Sequence, residues 1–139
     1  MAGDTTTIVI MGATGDLAQR KLLPALFELR CNGGCAEDLR IVGFARTKLS
    51  DEAFREYMWK GVQEFGVLAV HKDEWDDFAQ HLFYVAGSLD NESDIGKLKD
   101  RLEALEGSEA DAANRLFYLS ISPTLFEATL TNMKATGIA

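Results

Sequence analysis

The strongest constraint on this chain is a glycine-bearing turn between an apolar run and an amphipathic one. Thr6 to Met11 is β-branched and apolar and reads as a buried strand. Gly12-Ala13-Thr14-Gly15-Asp16-Leu17-Ala18 follows, and from Asp16 to Arg30 the pattern is helical, with Leu22, Leu26 and Leu29 on one face. Where a strand ends in glycine and opens into a helix, free backbone N–H groups and the positive end of the helix dipole converge on an anion. Gly12 permits the tight turn, Gly15 lets the backbone approach a pyrophosphate, and Ala18 is small enough for close helix–strand packing. The spacing is G-x-x-G-x-x-A rather than the strict G-x-G-x-x-G. A plain strand–helix turn without a ligand therefore stands beside the phosphate-binding reading.

The rest of the chain keeps alternating. Leu39 to Ala45 reads as a second strand and Asp51 to Phe65 as a helix capped by Ser50, with Leu49 and Phe54 at the spacing of a hydrophobic staple. Lys72 to Gln80 is a shorter helix and Leu82 to Ala86 a third strand. Asn91 to Glu106 is a charged helix with Ile95, Leu98, Leu102 and Leu105 as its apolar stripe. Arg115 to Ile121 is a fourth strand, and Ser122-Pro123 opens a last helix from Thr124 to Thr136. This order predicts an α/β fold, a Rossmann-like parallel sheet with flanking helices, truncated before the last strands. All 139 residues form one unit. Pro24 lies inside the first helix, where it removes a hydrogen bond to the Arg20 carbonyl and predicts a kink that aims Lys21 toward the cleft.

Charge narrows the partners. The net charge of −8 argues against nucleic acid and against an anionic membrane surface. No apolar run approaches the about 18 residues of a membrane span, and no secretory leader is legible at Met1-Ala2-Gly3-Asp4. These features predict a cytoplasmic protein. An anionic ligand then needs a local basic site, and the second strand supplies one by running into Arg46-Thr47-Lys48 with no acid at its tip. An acidic residue there holds the ribose 2′-hydroxyl of NAD, whereas an arginine accommodates the 2′-phosphate of NADP. NADP is the expected cofactor. His71 and His81 have no metal-ligand spacing, so no metal is expected. Cys31 and Cys35 read as two reduced thiols around a turn, with a redox pair as the alternative. Tyr57, Met58, Trp59 and Trp75 read as packing residues.

The run from Gly12 through Asp16-Leu17-Ala18-Gln19-Arg20-Lys21 to Pro24-Ala25-Leu26 closely resembles the N-terminal signature of glucose-6-phosphate dehydrogenases. So do Ile41-Val42-Gly43-Phe44-Ala45-Arg46, Tyr84-Val85-Ala86-Gly87, and Arg115-Leu116-Phe117-Tyr118-Leu119 through Pro123, in the family's order. The resemblance implies an NADP-linked oxidoreductase of the pentose phosphate pathway that oxidises carbon 1 of glucose 6-phosphate to the lactone, acting as a homo-oligomer when full length. By position, Gly12, Ala13, Thr14, Gly15, Asp16 and Leu17 cradle the pyrophosphate, and Arg46 holds the 2′-phosphate. Lys21 faces the sugar phosphate. Ser88, Ile121, Ser122 and Pro123 line the cofactor cleft at strand ends. Ser122 replaces the first of two prolines common in the family, and Phe126 replaces a tyrosine.

The family's substrate signature, Asp-His-Tyr-Leu-Gly-Lys, is absent, and with it the histidine that acts as general base. No catalytic residue is therefore expected here. The chain reads as an N-terminal coenzyme domain, inactive alone, without the catalytic domain. Two alternatives remain at the level of sequence. One is an extended short-chain-type NADP reductase, but Tyr57, Tyr84 and Tyr118 are followed at the Tyr-x-x-x-Lys position by Gly61, Ser88 and Ser122. The other is a free-standing NADP-binding regulatory module.

Overall fold

The computed structural model describes residues 6–31, 39–65, 72–107 and 114–138, except the side chains at 30, 31 and 114. Four strands, β1 (Thr6–Met11), β2 (Arg40–Ala45), β3 (Leu82–Ala86) and β4 (Asn114–Leu119), form one parallel sheet in the order β3-β2-β1-β4. Parallel strands need crossovers, and these are built by α1 (Leu23–Cys31), by α2 (Asp51–Phe65) with α3 (Lys72–Ala79), and by α4 (Glu92–Glu106), while α5 (Phe126–Thr136) follows β4.

Both faces of the central strands are covered, which is why their sequences are apolar almost without interruption. On one face Ile10 and Ile41 pack against Leu23, Leu26 and Phe27 of α1, Phe54, Met58 and Val62 of α2, and Trp75 and Phe78 of α3. On the other, Val9, Met11, Val42 and Phe44 pack against Ile95, Leu98 and Leu102 of α4 and Met133 of α5. Trp75 is a packing anchor, as expected, between Phe27 and Trp59. Ser50 caps α2 by accepting the Ala53 N–H at 3.1 Å, and Asn91 caps α4 by accepting that of Asp94.

The structure departs from the sequence expectation in three places. The first helix does not simply kink at Pro24. Residues Ala18–Leu22 form a π turn, closed by the Leu23 N–H on the Ala18 carbonyl. A wider turn ahead of proline accommodates both its missing N–H and its ring. Secondly, β4 ends at Leu119 rather than Ile121; the Ser120 N–H still reaches the Met11 carbonyl at 2.9 Å, and then the chain bends. Thirdly, the last helix opens as a 3-10 turn at Pro123–Leu125, capped by Ser122, before α5 begins. His71 and Cys35 lie outside the described residues, as does the side chain of Cys31.

Candidate functional site

The order β3-β2-β1-β4 reverses direction between β1 and β4, and such a switch point opens a crevice at the carboxyl ends of the strands. A cavity of about 330 Å³ occupies that edge. The turn after β1 contributes Gly12, Thr14 and Gly15, and the loop after β2 contributes Ala45, Arg46 and Thr47. The loop after β3 adds Ser88, Leu89 and Asp90, and the bend after β4 adds Ser120, Ile121, Ser122 and, on the 3-10 turn, Leu125.

Gly12 is required by its conformation and its surroundings. Its φ is +89°, and a Cβ there would stand 2.3 Å from the Ser120 carbonyl oxygen. The loops after β1 and β4 therefore meet at a point where no side chain fits. The N–H groups of Gly12 and Ala13 donate to the Phe44 carbonyl at 2.8 and 3.3 Å, and that of Gly15 donates to the Gly12 carbonyl at 3.1 Å. These bonds shape the turn. The N–H groups of Thr14, and of Asp16 and Leu17 in the first helical turn, take no part in those bonds, and a first helical turn has no carbonyl within the helix for its N–H groups.

Arg46 is exposed beside the cavity and makes no hydrogen bond or ion pair with a described residue. It stands at the end of β2, where the sequence predicted a cation for a 2′-phosphate. Of the other expected site residues, Thr14, Gly15, Ser88, Ile121 and Ser122 share the cavity with it. Ala13 is fully buried in the core. Asp16 pairs with Arg20 at 3.1 Å on the surface, and Leu17, Lys21 and Pro123 are exposed without lining the cavity. Ser88 is held at both ends, its N–H by the Asp94 carboxylate at 2.8 Å and its hydroxyl by Asp90.

Two tyrosines organise the loops. Tyr57 of α2 donates its hydroxyl to the Thr14 carbonyl at 2.7 Å, which fixes the glycine turn. Burial and the nearby Asp16 carboxylate push its pKa up, so it stays a donor. Tyr84 of β3 donates to the carbonyls that flank Arg46, those of Ala45 and Thr47. The spacing of Tyr57 signals only a helix face, and its reach to a residue 43 positions earlier has no local signature. Thr47, Leu89, Asp90, Ser120 and Leu125 were also not anticipated, although the rule that ligands bind beyond the carboxyl ends of strands points to their loops.

A doubly covered parallel sheet, a left-handed glycine after β1 and a crevice at the switch point define a Rossmann-type dinucleotide-binding domain. The family described as "Glucose-6-phosphate dehydrogenase, NAD binding domain" matches residues 9–139, and the chain belongs to that family. It is 43% identical over 126 residues to the glucose-6-phosphate 1-dehydrogenase of Chlamydia pneumoniae, covering 91% of this chain and 25% of that protein. It is 34% identical to the enzyme of the same name from Zymomonas mobilis, covering 100% of this chain and 28% of that one. A solved structure, "Glucose-6-phosphate dehydrogenase in complex with its substrate glucose-6-phosphate", superposes with a TM-score of 0.85 at 34% identity over 96% of this chain and 28% of that one. The chain thus spans about a quarter of the length of the curated relatives it matches. Membership of this family sets aside the short-chain reductase alternative. Among the described residues no helix is long and apolar enough to cross a membrane, and no group of metal-ligating side chains occurs.

Proposed function

We propose that this chain is the coenzyme-binding part of an oxidoreductase that oxidises glucose 6-phosphate to 6-phosphogluconolactone with NADP⁺ as hydride acceptor. The observation that carries the cofactor choice is Arg46, a cation without an ion pair among the described residues, beside the cavity at the tip of β2, where the chain runs Arg46-Thr47-Lys48 with no acidic residue. A guanidinium matches a phosphate with two parallel hydrogen bonds. The pyrophosphate belongs on the turn from Gly12 to Leu17, with Thr14, Asp16 and Leu17 donating N–H groups. Ser88, Ile121 and Ser122 lie along the remaining edge, and Pro123 follows them outside the cavity lining. NADP⁺ supplies the acceptor for hydride, and the residues of this chain bind and orient it.

We assign the general base to neither His71 nor His81, because neither stands in the family's substrate signature. Lys21, exposed on the π turn, is the group we assign to the phosphate of the sugar. On this reading the chain alone does not turn over glucose 6-phosphate, and the longer enzyme is a homo-oligomer.

Calorimetric titration tests the assignment. NADP⁺ binds more tightly than NAD⁺, and Arg46→Ala lowers NADP⁺ affinity roughly 10- to 100-fold, the value of a charge-assisted hydrogen-bond pair, while NAD⁺ affinity is unchanged. Equal affinity of the wild-type protein for both cofactors would refute the reading.

A further inference from the structure

Arg46 owes its place to the backbone on either side of it. The preceding carbonyl, that of Ala45, is held by the Gly87 N–H at 2.8 Å as part of the β2–β3 pairing. The following carbonyl, that of Thr47, lies past the strand and outside the ladder. It accepts the Tyr84 hydroxyl at 2.5 Å, and the same hydroxyl oxygen lies 3.1 Å from the Ala45 carbonyl. One phenol thus ties together the carbonyls of the residues on either side of Arg46.

The phenol is itself firmly placed. Its residue is 3% exposed, and its ring packs on Phe54 with centroids 4.9 Å apart. Its own N–H donates to Asp51 at 2.8 Å, and Asp51 is held by Arg101 at 2.8 Å. Burial pushes the hydroxyl pKa up to about 12, so the proton that makes the bond is present across the neutral range. Tyr84 does not line the cavity, whereas Ala45, Arg46 and Thr47 do.

We propose that Tyr84 is a positioning residue that sets the preference for NADP⁺ over NAD⁺ by holding the Arg46 loop in the shape that receives a 2′-phosphate. The proposal rests on the assignment of Arg46 to that phosphate. It makes a demand that a purely structural role does not: removal of the hydroxyl weakens one cofactor and spares the other.

Tyr84→Phe keeps the ring and its packing and deletes only the hydroxyl. Titrated with NADP⁺ and NAD⁺ beside the wild-type protein and Arg46→Ala, it loses about three- to tenfold in NADP⁺ affinity, the value of one neutral hydrogen bond. Its NAD⁺ affinity stays the same, which also reports a folded site. An unchanged ratio of the two affinities, or an equal loss for both, overturns the role of Tyr84 while leaving that of Arg46 intact. If the wild-type protein shows no preference, or if Arg46→Ala keeps it, the Arg46 assignment fails and the proposal fails with it. Should the phenylalanine variant not fold, ring-fluorinated tyrosine at position 84 retains the hydroxyl and lowers its pKa. The preference for NADP⁺ then falls at lower pH than in the wild-type protein, and an unshifted profile overturns the proposal.

Discussion

A single hydroxyl at Tyr84 links the loop after β2 to the pH dependence of stability. Its pKa is raised by burial from 10.0 to about 12 in the folded chain. A group whose folded pKa lies above its unfolded one contributes stability that is complete below the unfolded value and lost as pH rises through the folded value. Urea midpoints are therefore expected to decline between pH 10 and 12. Tyr84→Phe makes that decline shallower, and identical slopes for variant and wild type would show that the phenol is not its source. Of this residue's chemistry, only the aromatic and β-prone character was legible beforehand. Its acceptors at 45 and 47 lie 39 and 37 positions earlier, and no local pattern records them. The place of Arg46 was legible because it is a position relative to a strand end, which hydrophobic patterning locates.

The π turn before α1 operates at the scale of an element. Pro24 provides no N–H to the turn behind it, and the Gln19 carbonyl, five residues back in the π pattern, faces α2 instead. Gly61 of α2 comes so close that a Cβ there would stand 2.6 Å from that oxygen. Gln19 completes the contact by donating its amide N–H to the Tyr57 carbonyl at 2.9 Å. Glycine in a helix interior costs up to about 1 kcal/mol relative to alanine, so propensity alone favours Gly61→Ala. The close approach reverses the sign. Gly61→Ala is expected to destabilise by about 1–3 kcal/mol through overpacking, measured by urea denaturation, and a stabilised variant would mean that the helices part without cost. The sequence placed a proline-induced distortion here but not its form, because a π turn is chosen by what packs against it.

At the scale of the whole molecule, the edge opposite the cavity is joined by a buried ion pair. Glu106, ending α4 and 4% exposed, meets Arg115 of β4 through two hydrogen bonds of 2.5 and 3.0 Å. Arg115 also donates to the Ile138 carbonyl at 3.0 Å beyond α5, and Thr7 of β1 lies 3.5 Å from the same carboxylate. Hydrogen bonding to Glu106 pushes the Arg115 pKa up, so the cation persists at every working pH. Replacing Arg115 with Met strands a buried carboxylate and is expected to cost about 3–5 kcal/mol. The Glu106→Leu/Arg115→Met double variant recovers most of this loss in thermal or urea unfolding; losses that simply add would show that the two groups are not coupled. The amino-acid sequence determined the strands, the helices, the glycine turn and the cation after β2, because strand and helix periodicity, capping and φ freedom act over a few residues. Tertiary structure alone decided which strands neighbour β1, which tyrosine holds which loop, and what pairs with Glu106. Each of those partners is distant along the chain, and burial makes such contacts strong only once the fold has brought them together.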